Sequence, residues 1–344
     1  MKQIHSKLFI TLIVLLLLTI PNANSLLIVE FGSIAWMLLV GIVIWFTQLF
    51  TIATQYRQHQ HIKQQFARCL APVMLKSLQK NSTNIVMSGE TRLLTVMFCS
   101  IDGFTSLIEQ NIKTPQKLTS VVNQFLTRMT TILQNNNGTV DKYIGDCVMT
   151  FWNAPIESVN QEVLAVKSAL EMACYLKILN RDLIADGLFP VSINIGINTG
   201  IAVVGNLGSQ QQFDYTCVGQ TVNVAAKLQN LSKDYGVKIL ISQSTADNLD
   251  DKYLAVELDT IDIADYTVGF KIYTVISRER QPNTSSLQIA MAQHNKFLDA
   301  YNSQRWDRAI ILAKSLTTAW NFELRDYYNL VIAKCNDAKT RNSN

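Results

Sequence analysis

Between residues 140 and 152 the chain reads VDKYIGDCVMTFW. Two apolar segments, Val140–Ile144 and Val148–Trp152, flank the pair Gly145-Asp146. This pattern is typical of a β-hairpin closed by a tight turn. The hairpin is therefore the first element of the predicted fold, and the segments on either side of it supply the rest.

Strand and helix signals alternate around the hairpin. Upstream, Leu93–Phe98 predicts a short apolar strand, and a helix is expected to begin at Thr114-Pro115 and to end at Asn135–Gly138. Downstream we expect a long helix over Asn160–Ala185, strands at Val191–Ile197 and Ile201–Val204 separated by Asn198-Thr199-Gly200, and a helix over Thr221–Leu231. This alternation predicts an α+β fold with helices packed on a mixed sheet.

The strand signals disappear after about Gln281, and residues 285–340 predict a small helical segment. Three amphipathic helices are expected, at Ile289–Tyr301, Trp306–Thr318 and Leu324–Lys339. The stretch Trp306-Asp307-Arg308-Ala309 resembles the start of a tetratricopeptide-like helix pair. A single unit of that kind cannot bury its own apolar face, so we expect it to pack on the preceding domain or on a partner.

The composition limits the class of protein. A chain of 344 residues is long enough for about two domains, and 48% of its residues are hydrophobic against 16% charged. The net charge of +4 is small and dispersed, which argues against a nucleic-acid partner. The six cysteines show neither a CxxC spacing nor a zinc pattern, and we interpret them as buried reduced thiols of a cytosolic domain. They are Cys69, Cys99, Cys147, Cys174, Cys217 and Cys335.

Residues 1–55 contain the apolar excess and predict a membrane anchor. Lys2 and Lys7 precede the apolar run Leu8–Ile20, and a second run, Ile34–Ala53, has about the 20 residues that a transmembrane helix needs. The two runs fit a membrane hairpin whose outer turn is Pro21–Ser25. The first run also suits a signal peptide cleaved near Ala23-Asn24-Ser25, and both runs could instead be buried core helices.

Positive residues after the second run set the expected orientation. Arg57, Lys63 and Arg68 place the rest of the chain in the cytoplasm, with the anchor in the inner (cytoplasmic) membrane. Within residues 56–80, an apolar residue recurs every four positions (Ile62, Phe66 and Leu70), and Pro72 follows. This narrow stripe predicts a linker helix that pairs with a second copy of itself or packs on its own domain.

Residues 89–278 carry a set of motifs in a fixed order. They are CSIDGFT at 99–105, VDKYIGD at 140–146, IGINTG at 195–200, VVGN at 203–206 and DYTCVGQTVNVAAK at 214–227. Together they resemble class III adenylate and guanylate (nucleotidyl) cyclases of the membrane-anchored bacterial type. The resemblance implies a ferredoxin-like sheet with covering helices, preceded by transmembrane helices and followed by a small α-helical tail.

The resemblance also implies an activity, the conversion of ATP to 3′,5′-cyclic AMP and pyrophosphate in signal transduction. In this family two carboxylates hold two Mg²⁺ or Mn²⁺ ions, which activate the ribose 3′ oxygen and neutralise phosphate charge. Asp146 matches the hairpin carboxylate, and Ile101 would contribute its backbone carbonyl. Phe104 and Thr105 match substrate-binding positions. Alternatively, Asp146 could be an ordinary turn residue without a metal-binding role.

The other metal position departs from the family pattern, because Ser100 stands where the family has Asp. A hydroxyl is a poor neutral ligand for Mg²⁺, which favours carboxylates. Asp102 could substitute, since residues i and i+2 of a strand point the same way. The chain should already be turning at Gly103, however, and this weakens the substitution.

The purine and phosphate positions match better. Lys142 matches the lysine that contacts adenine N1, and Thr216 matches the residue that reads the adenine amino group, so the pair indicates ATP. Lys142 could also be an ordinary solvated strand lysine. Asn223 matches the residue that orients the ribose, and Lys227 replaces the arginine that stabilises the pentavalent phosphate. Lysine keeps the charge but lacks the bidentate fork.

Three functional hypotheses remain open. The chain could be a homodimeric adenylate cyclase whose metal site is impaired. It could be a pseudo-enzyme that keeps the fold as a regulatory or dimerisation module. Finally, it could be the purine-binding half of a heterodimer, in which another cyclase domain lends both carboxylates. Ser100 and Lys227 are the two positions that argue for reduced or lost activity.

Overall fold

The computed structural model describes residues 89–111, 115–185, 187–188, 190–209, 213–263, 267–277, 284–320 and 323–342, with isolated positions at 41, 45 and 47–48. Residues 1–70 and 71–344 form two compact units. The predicted anchor and linker helix lie outside the described residues, apart from the isolated positions. Among the residues that are described, no helix has both the length and the apolar character of a membrane span.

The described part of the second unit alternates strands and helices. In chain order the elements are β1 Gly89–Asp102, α1 Phe104–Asn111, α2 Pro115–Asn135, β2 Thr139–Ile144, β3 Cys147–Trp152, α3 Gln161–Ala185, β4 Ser192–Gly208, β5 Phe213–Val218, α4 Gln220–Leu231, a 3₁₀ turn Lys233–Tyr235, β6 Ile239–Ser242, α5 Gln243–Ala246, β7 Tyr253–Ile263, β8 Thr267–Ser277, α6 Thr284–Asn302, α7 Trp306–Leu316 and α8 Arg325–Asn342. The predicted hairpin corresponds to β2 and β3.

The sheet has the order β2-β3-β1-β4-β6-β8-β7, and β5 pairs with β4 off this path. Strands β2, β3, β1 and β4 are antiparallel neighbours, and helices connect β1 to β2 and β3 to β4. This is the βαββαβ arrangement of a ferredoxin-like core. Strand β6 joins β4 in parallel, and β8 and β7 continue antiparallel. The predicted α+β fold with a mixed sheet is confirmed.

Alternation along β1 divides the core between the two faces of the sheet. Met97, Cys99 and Ile101 are buried against α2 and α3 in one apolar cluster. Leu94, Val96 and Phe98 point to the other face, where their cluster includes Ala225 of α4. Both faces of the central strand are therefore covered, and α4 is fixed on the face opposite to α2 and α3.

Gly196 lets α4 approach β4 closely. A Cβ at this position would lie 2.1 Å from the backbone nitrogen of Gln229 and 2.3 Å from the carbonyl oxygen of Ala225. Real Cβ atoms do not come that close to backbone atoms, so only glycine allows the helix to sit where it does. This contact brings α4 next to the end of β1.

Helices α6–α8 correspond to the three helices predicted near the C-terminal end of the chain, and α6 and α8 contact β7. Tyr327 donates its hydroxyl proton to the Leu258 carbonyl at 2.7 Å, and His294 Nε2 lies 2.5 Å from the Glu257 carbonyl. A carbonyl only accepts, so Nε2 carries the proton and Nδ1 accepts from the Tyr328 hydroxyl at 2.9 Å. The tail is thus attached to the sheet by hydrogen bonds inside an apolar cluster.

One expectation about the strands was wrong. The separate strands predicted at Val191–Ile197 and Ile201–Val204 are one continuous strand, β4. The polar residues between them stay in the strand because they are satisfied there: Asn198 donates to the Thr221 carbonyl at 3.0 Å, and Thr199 shares a 2.9 Å hydrogen bond with Thr95.

The cysteines are not all buried. Cys99, Cys217 and Cys335 are buried, but Cys147 is only half-buried and Cys174 is exposed on α3. Each of these five thiols is free, as expected, and Cys69 lies outside the described residues.

Candidate functional site

The β2–β3 turn places Asp146 against the end of β1. Gly145 turns the chain with φ of +66°, a conformation that glycine adopts without strain. Asp146 Oδ2 then accepts the backbone N–H of Ile101 at 2.8 Å. Burial raises the pKa of Asp146, and the hydrogen bond from Ile101 opposes that rise. The structure therefore brings together two of the predicted metal-site residues.

Ser100 faces the other side of β1, towards α4. Its hydroxyl oxygen accepts a hydrogen bond from Gln229 Nε2 at 2.7 Å, and both residues are buried. Gln229 reaches this point because Gly196 allows α4 to come close to the sheet. The Ser100 hydroxyl is therefore already engaged within the fold.

Asp102 is the last residue of β1, and its carboxylate is also engaged. Oδ1 lies 3.1 Å from the Lys233 ammonium of the 3₁₀ turn and 3.3 Å from Asn194 Nδ2. The predicted i, i+2 relation places Ser100 and Asp102 on one side of the strand, but that side faces α4 and the 3₁₀ turn. Asp102 therefore contacts Lys233 and Asn194 on that side of the strand.

Phe104 and Thr105 open helix α1 directly after Gly103. Phe104 is half-buried and packs against the cluster formed with α2 and α3, whereas Thr105 is exposed. Of these two predicted substrate-binding residues, Thr105 is the one with a side chain open to solvent, and Phe104 contributes to packing.

The purine-side residues meet around a carboxylate that the sequence reasoning did not single out. A β-bulge between Val140 and Lys142 breaks the strict alternation of β2. Asp141 accepts a hydrogen bond from the Thr216 hydroxyl, and its Oδ1 lies 3.4 Å from the Lys142 ammonium. The Asp141 side chain is 0% exposed, and that of Lys142 is 39% exposed. Lys142 and Thr216 therefore lie side by side, joined by Asp141.

Burial is the largest influence on the pKa values of Asp141 and Cys217. It raises the pKa of Asp141, whereas the hydrogen bond from Thr216 and the charge of Lys142 lower it. Burial also raises the pKa of Cys217 to about 12, with the Asp141 carboxylate adding to the effect. The Cys217 thiol is therefore protonated at neutral pH and takes part in packing.

Asn223 and Lys227 lie one turn apart on α4. Residues four apart on a helix share a face, and here Asn223 is exposed and Lys227 half-buried. The same helix carries Gln229, which binds Ser100. Helix α4 thus connects the predicted ribose and phosphate residues with the predicted metal position.

The residues at the metal position do not fit a two-carboxylate site. In the described ranges, no three His, Cys, Asp or Glu side chains come together in a way that could hold a metal ion. Asp146 offers one carboxylate, while Ser100 and Asp102 are bound by Gln229 and Lys233. Mg²⁺ requires several well-placed oxygen ligands, so the chain by itself presents half of the expected ligand set.

Comparisons with known proteins agree with the motifs and the fold. The family model described as "Adenylate and Guanylate cyclase catalytic domain" matches residues 86–276. Adenylate cyclase 1 of Rhizobium meliloti is 30% identical over 57% of this chain and 29% of its own length. The adenylate cyclase of Anabaena cylindrica is 31% identical over 55% of this chain and 36% of its own length. The chain thus spans about a third of the length of each of these two relatives.

Solved structures give the same picture. The adenylyl cyclase CyaB from P. aeruginosa superposes with a TM-score of 0.52 and 32% identity, over 57% of this chain and 100% of that one. The guanylyl cyclase Cya2 superposes with a TM-score of 0.52 and 28% identity, over 57% of this chain and 98% of that one. Both kinds of nucleotide specificity are therefore represented among similar structures.

Proposed function

Because the chain belongs to the adenylate and guanylate cyclase catalytic domain family, we propose that it is the purine-binding half of a dimeric adenylate cyclase. It binds ATP through Lys142 and Thr216 and makes cyclic AMP only weakly when it pairs with itself. In this family the resemblance implies sites formed between two domains. One domain supplies the metal carboxylates, and the other supplies the purine, ribose and phosphate residues.

One observation supports the proposal: the predicted purine residues lie together, whereas Ser100 and Asp102 at the predicted metal position contact other side chains. Lys142 and Thr216 lie together around Asp141. Adenine presents an acceptor at N1 and a donor at its amino group, so an ammonium beside a hydroxyl oxygen matches both. By contrast, Ser100 and Asp102 are bound to Gln229 and Lys233.

Ser100 and Lys227, which differ from the family pattern, determine the expected loss in the rate of cyclic AMP formation. Ser100 removes one negative charge from the metal side, and Lys227 removes the second arm of the guanidinium fork. The loss of one electrostatic group of this kind costs on the order of 100-fold in rate. The two positions act on the same phosphate chemistry, so a self-paired chain retains little activity.

A repair experiment tests this proposal. Cyclic AMP formation by the full 344-residue chain is measured with ATP and Mn²⁺, beside Asp146→Ala and the double variant Ser100→Asp, Lys227→Arg. We expect weak activity that Asp146→Ala abolishes and the double repair raises at least 100-fold. A well-folded double variant that binds ATP yet forms no more cyclic AMP than Asp146→Ala would contradict the proposal.

The second candidate is a pseudo-cyclase with a regulatory or dimerisation role. It is favoured by the bonds of Ser100 to Gln229 and of Asp102 to Lys233, which satisfy the metal side internally. A separate measurement of ATP binding distinguishes the two candidates. A pseudo-cyclase that has lost nucleotide binding would not bind ATP in an equilibrium titration, whereas the purine-binding half would.

We also propose that residues 1–55 hold the protein in the cytoplasmic membrane, with the cyclase domain in the cytoplasm. The support is the pair of apolar runs followed by positive residues. Fractionation of cells that express the full chain tests this. The protein should remain in the membrane pellet after an alkaline carbonate wash, and its release into the supernatant would refute the anchor.

A further inference from the structure

The Asp141 carboxylate lies where an ionised group is energetically unfavourable. Its side chain is 0% exposed, and a buried charge is costly unless it is closely paired. Both of its described partners, Thr216 and Lys142, are residues that the proposed function places against the base. A carboxylate that served only the fold could pair with any neighbouring group. Because Asp141 contacts both of these residues, its placement supports a role in base recognition.

The hydrogen bond fixes the direction of one proton. A hydroxyl has a single proton to donate, and an ionised carboxylate can only accept. When Thr216 donates to Asp141 Oδ2, its proton is turned away from any other partner. The Thr216 oxygen is then left with lone pairs alone, and it can bind a donor but not an acceptor. Thr216 is also buried, which limits its freedom to rotate.

We propose that Asp141 is a specificity-determining positioning residue, which holds the Thr216 proton so that the hydroxyl oxygen accepts from the 6-amino group of adenine and repels a 6-oxo group. The ion pair with Lys142 complements this role, because it holds the ammonium beside Thr216. Lys142 donates to an unprotonated N1, whereas a 6-oxopurine carries a proton there. This inference rests on the proposed ATP binding and adds to it the group that sets the base preference.

The test is a double-variant cycle on nucleotide binding. Dissociation constants for ATP and ITP, which differ only at positions 1 and 6 of the base, are measured on the full chain by equilibrium titration. Asp141→Asn introduces an amide that can donate to Thr216 and release the hydroxyl proton. We expect it to lower the preference for ATP over ITP about tenfold, the equivalent of one good hydrogen bond.

The control is the same change without the hydroxyl. In a Thr216→Val background, Asp141→Asn should change the ratio of the two constants far less than it does with Thr216 present, because only the Lys142 contact remains to be lost. A carboxylate with a merely structural role would weaken both nucleotides alike and would act equally in both backgrounds. An unchanged ATP preference in Asp141→Asn, with ATP still bound by the unaltered chain, overturns this inference alone. Failure of the unaltered chain to bind ATP overturns the proposed function as well.

A second measurement needs no variant at Asp141. The triphosphate of 6-methoxypurine riboside keeps an unprotonated N1 and replaces the amino donor with an acceptor, and that of unsubstituted purine riboside has neither group. With the Thr216 proton held by Asp141, the unaltered chain should bind ATP best, purine riboside triphosphate next and the 6-methoxy compound worst. Binding of the 6-methoxy compound as tightly as ATP would show that the hydroxyl turns freely and would overturn the inference.

Discussion

Lowering the pH should loosen the attachment of the C-terminal helices through one imidazole. His294 is buried among Phe297, Trp320, Tyr327 and Tyr328. Burial lowers its pKa from 6.5 to about 4, although the carbonyl and the charge of Glu257 act in the opposite direction. Protonation would place a charge in this apolar cluster. It would also remove the Nδ1 lone pair that accepts from the Tyr328 hydroxyl.

The magnitude follows from the difference between the folded and unfolded pKa values. Between pH 6.5 and about 4 the unfolded chain binds a proton at this position that the folded chain excludes. The contribution of His294 to stability is therefore complete above pH 6.5 and is lost as the pH falls towards 4. At about 1.4 kcal/mol for each pKa unit, the whole window is worth about 3 kcal/mol. About 2 kcal/mol of this should be lost between pH 7 and pH 4.5.

Chemical denaturation of the full chain at pH 7 and pH 4.5 measures this loss. His294→Gln is the matched control, because a glutamine amide can donate to Glu257 and accept from Tyr328 without titrating. Other carboxylates lose stability in acid in both proteins, so the difference between the two chains isolates the imidazole. An equal loss of unfolding free energy in the unaltered chain and in His294→Gln would show that protonation of His294 does not cause the loss of stability.

Three further predictions follow from the packing. Gly196→Ala should lower the melting temperature far more than Gly145→Ala, because a Cβ at position 196 would force α4 away from the sheet. A Cβ at position 145 meets open space and adds only about 1 kcal/mol of backbone strain. Equal shifts of the melting temperature would contradict this prediction. Tyr327→Phe should cost about 1 to 3 kcal/mol of unfolding free energy, because it leaves the Leu258 carbonyl unpaired, and a chain of unchanged stability would show that this bond is not needed. Cys174→Ser should remove one rapidly reacting thiol per native chain in a thiol titration, because the Cys174 side chain is exposed, and an unchanged count would place that thiol out of reach.

The sequence predicted well the elements whose limits are marked locally. The hairpin around Gly145-Asp146 and the helix that begins at Pro115 have strong turn and start signals, and both occur as predicted. Strands β5, β6, β7 and β8 were not predicted. Register shifts near Asp259 and Ile261 interrupt the alternation of β7, so its pattern of polar and apolar residues is irregular.

The candidate site was predictable only for residues that lie within recognisable sequence motifs. Lys142, Thr216 and Asp146 fall in recognisable stretches, and the structure places them in coherent local groups. Asp141 was not predicted, because neighbouring residues of a regular strand point to opposite faces and no local pattern reports the bulge between Val140 and Lys142. The engagement of Ser100 by Gln229, 129 residues away, depends on tertiary packing that no local pattern reports.

Mixed dimers test the proposed division between a chain that supplies the purine residues and a metal side that lacks one carboxylate. The unaltered chain is co-expressed with a Ser100→Asp, Lys142→Ala chain, each with its own affinity tag, and the mixed species is isolated through both tags. One composite site then joins the restored carboxylate to an intact Lys142, Thr216 and Asn223, and Lys227 is the same in every species. We expect the mixed dimer to form cyclic AMP at least tenfold faster than the sum of the two separate chains. A mixed dimer no more active than that sum would contradict the proposed division, because the unaltered purine side would then be unable to support the reaction.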